Sequence, residues 1–104
     1  MNTKKKSNAV KFLEKLRGGP LSFGRMIESL RLADEFSQID LAKRLKISRG
    51  QLCDIEKGRR LVSAERAAQF AKVMGYSTEQ FIAAAIEDQL KAVGLKFLVE
   101  LRAA

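Results

Sequence analysis

The chain has no histidine, one cysteine and one proline among its 104 residues. Lack of histidine removes the commonest neutral-pH acid–base group and a preferred metal ligand. Cys53 cannot close an internal disulfide. With no second thiol to resolve an oxidised form, it reads as a bystander rather than a redox sensor. No cluster of side chains suits a metal ion or an activated nucleophile, so no metal, no cofactor and no enzymatic activity are expected. Aromatic residues make up only 7% of the chain. With a single proline, that favours helices over sheet. There is no apolar run of membrane-spanning length. Lys4, Lys5 and Lys6 lead into no long apolar stretch, so no secretory signal is expected. These absences predict a cytoplasmic protein with no membrane partner.

What is present is positive charge, unevenly placed. The net charge is +8. Residues 1–66 hold 16 Lys/Arg against 8 Asp/Glu, whereas residues 67–104 hold 4 of each. The whole excess lies in the first two-thirds, and a polyanion is its natural partner. An apolar content of 46% is enough for one small core, so the chain reads as one domain, 21–104, behind a basic tail, 1–20. In that tail Ala9, Phe12, Leu13 and Leu16 can line a short helix, stopped by Gly18-Gly19-Pro20. So short a helix is marginal alone: it docks on the domain or on a partner, or the tail stays partly disordered.

From Ser22 onward the pattern is helical. Five serines stand before apolar-periodic runs, each a candidate N-cap. Ser22 starts a helix to about Glu35, marked by Met26, Ile27, Leu30 and Ala33. Ser37 starts a second, with Ile39, Leu41, Ala42 and Leu45 inward. Ser48 starts a third, carrying Leu52 and Ile55 and ended by Gly58. Ser63 starts a fourth, with Ala67, Phe70, Ala71, Val73 and Met74 inward and Gly75 at its end. Ser77 starts a fifth, where Gln80 can complete a capping box.

The fifth helix is expected to outrun the domain. Ile82, Ile86, Leu90, Val93, Phe97 and Leu101 recur at helical spacing over about six turns. A homodimer seam through Ile86, Leu90, Val93, Phe97 and Leu101 is the simplest use of that stripe; folding back on its own domain is the alternative. Gly94 interrupts it and marks a bend or a close contact.

Residues 38–60 are the most informative stretch. They form two short helices joined by a tight turn. The second starts with polar and basic groups and ends at a glycine followed by two arginines. This is how a helix is offered to the major groove of DNA, with cations beside it for phosphates. Arg49 can pair with guanine O6 and N7, and Asp54 can accept from cytosine N4, orient Arg49 or exclude phosphate.

Here the chain resembles the Cro/CI-type helix-turn-helix regulators, the XRE type. The resemblance runs from about Phe23 to Ile82. Its marks are Arg31, Ser37-Gln38, Leu41-Ala42, Lys46-Ile47-Ser48 and Ile55-Glu56-Lys57-Gly58-Arg59. It implies an all-α, five-helix lambda-repressor-like domain with a helix-turn-helix. By the same resemblance Gln38 contacts a phosphate, and Arg49, Gly50 and Asp54 face base edges. Ser48 and Gln51 share that leading face. Lys57, Arg59 and Arg60 meet the backbone phosphates, and Arg31 bridges to Glu56. Gly50 departs from the family by offering no side chain where relatives often read a base. Val62 stands where relatives often have proline before the fourth helix.

The expected function is a sequence-specific repressor, a homodimer on a double-stranded operator. The basic tail adds a finer expectation: an autorepressing antitoxin resembling the HigA type, whose residues 1–20 hold a small toxin. The alternative is a plain repressor or restriction-system controller without a toxin.

Overall fold

The structure, a computed structural model, describes residues 22–104. The helix expected around Ala9 to Leu16 and its Gly18-Gly19-Pro20 stop lie outside the described residues. Five helices follow: α1 (Phe23–Ala33), α2 (Gln38–Leu45), α3 (Arg49–Glu56), α4 (Ala64–Met74) and α5 (Thr78–Ala92). No strand occurs among the described residues.

All five serines cap as expected. The Oγ atoms of Ser22, Ser37, Ser48, Ser63 and Ser77 accept from the backbone N–H groups of Arg25, Asp40, Gln51, Arg66 and Gln80 at 3.0–3.3 Å. Each bond satisfies an N–H that the first helical turn leaves without a partner. The reciprocal half of a capping box forms at α3 rather than at α5: Ser48 N–H donates to Gln51 Oε1 at 3.0 Å. Gln80 Oε1 is instead buried with no hydrogen-bond partner among the described residues.

The core is continuous through all five helices. Phe81 sits at its centre, with Phe23 edge-on at 5.9 Å and Tyr76 stacked at 6.0 Å between centroids. Two inward expectations fail. Ile39 is 52% exposed and Val73 43%. Each lies roughly 110° around its helix from the centre of the buried stripe, which Leu41, Ala42 and Leu45 form in α2, and Ala67, Phe70, Ala71 and Met74 in α4. α1 stops at Ala33, short of Glu35, because Glu35 adopts a left-handed φ of 61° and Phe36 N–H reaches back to Arg31 O. The hydroxyl of Tyr76 donates to Asp34 Oδ2 at this helix end.

The largest correction concerns α5. It ends at Ala92, not near residue 102. Gly94 takes φ 81°, and Leu95 N–H bonds back to Leu90 O at 2.9 Å, closing the helix with a left-handed glycine cap. Residues 95–104 are not helical and turn back beside α5, where Val99 N–H donates to Glu87 Oε2 at 2.8 Å. Val93, Phe97 and Leu101 therefore do not extend a helical seam from Ile86 and Leu90. Those two are half-buried on α5, while Val93, Phe97 and Leu101 are exposed.

Candidate nucleic-acid interface

The interface candidate is built on α2, the turn and α3. The turn passes through Lys46, which takes the left-handed φ of 59° usually reserved for glycine. Ile47 N–H then bonds to Ala42 O at 3.0 Å, and Ser48 opens α3. Ala42 is 2% exposed where α2 meets the turn and α3; a larger side chain would push the two helices apart.

The C-terminal end of α3 is locked to the scaffold. The Glu56 side chain is fully buried. Its Oε2 accepts from Arg31 Nε at 2.8 Å, and its Oε1 from Arg31 Nη2 at 3.1 Å. Gln38 Nε2 donates to the same Oε1 at 3.0 Å, and Arg31 Nη1 donates to Phe36 O. The bidentate pair expected from sequence is thus present, and it is charge-assisted. The hydrogen bond to Glu56 raises the Arg31 pKa above its ordinary value, with burial opposing. α1 crosses here so closely that a Cβ at Gly24 would collide with Ile55 O and lie 2.8 Å from Glu56 O.

The N-terminal end of α3 is open. Ser48, Arg49 and Gly50 are exposed, and Gln51 is half-buried. Arg49 enters no ion pair among the described residues, and it lines a shallow groove with Arg31, Ser37, Gln38 and Ile39. The structure therefore brings Gln38 and Arg49 together across the turn. Lys57 and Arg60 are exposed beyond α3 and enter no ion pair among the described residues.

Two expected roles change. The Gln38 amide spends one N–H on Glu56, so only its second N–H is open to a phosphate. Asp54 does not orient Arg49: its Oδ1 accepts from Arg59 Nε at 3.0 Å, and Arg59 Nη2 leans on Cys53 Sγ at 3.9 Å. That pair is exposed and worth at most about 1 kcal/mol, so both side chains can re-pair at small cost.

Sequence reasoning missed three framework residues. Gly24 has just been described. Gln89 Nε2 donates to Val62 O at 2.9 Å, and Val62 itself is 4% exposed. This pins the loop that relatives often hold with proline. Asp88 Oδ2 accepts from Phe23 N–H at 3.0 Å, capping α1 from 65 residues away in sequence. Burial raises the Asp88 pKa, while the Phe23 N–H and Lys91 lower it. Only Gly24 carries a local signal, as a glycine in the first turn of an amphipathic helix.

A five-helix scaffold with one end of a short helix buried and the other offered to solvent defines a DNA-reading domain. The helix-turn-helix family model matches residues 27–81, more than half of the chain. The chain belongs to this family, in its XRE type, and has its lambda-repressor-like fold; it is a DNA-binding transcriptional regulator. No curated protein and no solved structure matches it. No helix among the described residues is long and apolar enough to cross a membrane.

Proposed function

We propose that the chain is a sequence-specific repressor that binds a two-fold operator as a homodimer, with the N-terminal end of α3 in the major groove. The observation that carries this reading is the exposed Arg49, in no ion pair among the described residues, at the free end of a helix whose other end is locked. Arg49 reads a guanine, with Gly50 beside it allowing close approach. Ser48, Gln51 and Asp54 complete the leading face. Gln38, Lys57, Arg59 and Arg60 hold phosphates and fix the register. Because one such domain covers only a half-site, two copies related by symmetry supply the affinity.

The test is a salt series on a selected operator. Each cation that neutralises a phosphate contributes about 0.9 to the slope of log affinity against log salt. Arg60→Ala should lower the slope by about one without changing sequence preference. A flat salt response of the wild type would remove the reading. An antitoxin role for the same repressor is supported by the basic residues 1–20 alone. Deleting them should abolish capture of a co-expressed toxin and leave operator binding intact.

A further inference from the structure

The segment that leaves α5 is not helical, and its sequence also carries the period of a strand. Beyond Gly94 it reads Leu95-Lys96-Phe97-Leu98-Val99-Glu100-Leu101. The odd positions are all apolar, and charge falls only on even ones. This is the period of an extended chain with one apolar face. Among the described residues, none from 96 to 104 takes part in a backbone–backbone hydrogen bond. The apolar side chains are largely uncovered: Leu98 is 75% exposed, Phe97 61% and Leu95 46%. An exposed apolar segment with open peptide groups is a template for strand pairing.

We infer that residues 95–101 pair antiparallel with the same residues of a second copy, centred on Leu98, to form the dimer's two-stranded ribbon. The inference rests on the homodimer reading and supplies its contact. The occupant is identified by self-complementarity. About Leu98, Leu95 faces Leu101, Phe97 faces Val99 and Lys96 faces Glu100, each twice by symmetry. One face then holds eight apolar side chains and the other two Lys–Glu pairs flanking Leu98. Shifting the centre to Phe97 or Val99 sets Lys96 or Glu100 against leucine. Centring between residues brings odd positions opposite even ones and breaks the apolar face. Cross-strand opposite charges stabilise and like charges destabilise, so the register about Leu98 is the favoured one.

The contact with Glu87 fixes which edge is free. In a strand, the peptide groups of alternate residues point to opposite edges. Once the segment is extended, Val99 N–H given to Glu87 puts residues 97, 99 and 101 on the inner edge. Residues 96, 98 and 100 are left on the outer edge, which pairing about Leu98 uses. Val99 is only half-exposed and Leu101 is 36% exposed, against 75% for Leu98, so the odd positions next to the Glu87 contact are the better covered ones.

Charge exchange in the full chain tests this. Lys96→Glu and Glu100→Lys should each weaken self-association by roughly tenfold in sedimentation equilibrium, since two attractive pairs become repulsive. Both changes in one chain should restore the dimer. So should an equimolar mixture of the two single variants, because every facing pair is then Glu with Lys. Helical circular dichroism should be unchanged, as both side chains are exposed. Single variants that associate like wild type, or a mixture that gains nothing over its components, would overturn the ribbon; so would a wild type that is monomeric at tens of micromolar. Binding of each variant to an isolated half-site separates this from the DNA reading. Retained half-site binding with weakened full-operator binding is expected for the single variants. Loss of DNA binding in every variant, with the charge-exchange pattern intact, would sink the DNA reading and leave the ribbon standing.

Discussion

The two ends of α3 face opposite demands. At Glu56 the helix is buried, receives three side-chain hydrogen bonds and is crossed closely by Gly24. At Arg49, only two turns away, the side chain is exposed and unpaired among the described residues, and a glycine follows it. A helix this short is rigid over its length, so fixing one end aims the other. The buried end spends side-chain chemistry on orientation, and the open end keeps its chemistry for a ligand. Changes at the two ends should therefore separate cleanly into losses of stability and losses of binding.

The largest effect is expected at the locked end. Glu56→Ala strands the Arg31 guanidinium in a buried site and should cost about 3–5 kcal/mol. Arg31→Ala strands the fully buried carboxylate and should cost a similar amount. The double variant should lose less than the sum, since neither charge is then left alone. Gly24→Ala drives a methyl against the α3 backbone and should cost about 1–3 kcal/mol or more. Denaturant melts check all four. Additive losses for Arg31 and Glu56 would mean that the pair does not act as a unit.

Arg49→Ala is the matching change at the open end. Melting should move by no more than about 0.5 kcal/mol, as for an ordinary surface position. Affinity for the best operator should fall by about 1–3 kcal/mol, with preference relaxed at one base pair. Competition binding against single-base operator variants gives the result. An unchanged preference would mean that another residue of α3 reads the guanine.

The same contrast explains what was legible in the sequence. Caps and periodicity are local, so the five serines placed every described helix start. The buried Arg31–Glu56 pair came from the family pattern, not from spacing. The partners Asp88–Phe23, Gln89–Val62 and Gln38–Glu56 were hidden, because nothing local distinguishes a polar side chain that reaches across the fold. The end of α5 was misread for a different reason. The residues from Ile82 to Leu101 satisfy helical spacing, but Leu95, Phe97, Val99 and Leu101 also satisfy the period of two. Gly94 decides between them, because its left-handed φ closes the helix on Leu90. Both patterns are present, and from spacing alone Gly94 reads as a bend or a close contact rather than as the helix end.

A smaller effect tests the framework by pH. Tyr76 is 5% exposed and donates to Asp34 at the end of α1. Burial first, and then the bond to Asp34, raise its pKa above the ordinary 10.0. The folded state thus holds the phenol proton more tightly than the unfolded chain. Its contribution to stability is complete below pH 10 and is lost as the pH rises toward the folded pKa. Tyr76→Phe should cost about 1 kcal/mol at neutral pH. The gap to wild type should close as melts are repeated above pH 10. A gap constant with pH would show that the hydroxyl has no preference for its neutral form.

The smallest change is the most pointed test of the open end. Gly50 has no packing reason to be glycine: a Cβ there would meet only Ser48 Oγ, at 3.9 Å. Its backbone is helical. Alanine in a helix interior is favoured over glycine by about 1 kcal/mol, and somewhat less in the first turn. Gly50→Ala should therefore stabilise the protein, by about 0.5 kcal/mol, where Gly24→Ala destabilises it. If the glycine serves close approach to the groove, the same substitution should weaken operator binding several-fold, because the methyl holds α3 away from the bases. A Gly50→Ala protein that is more stable and binds as tightly as wild type would show that DNA does not need the space. The departure from family pattern at this position would then be a loss of contact, not a fit.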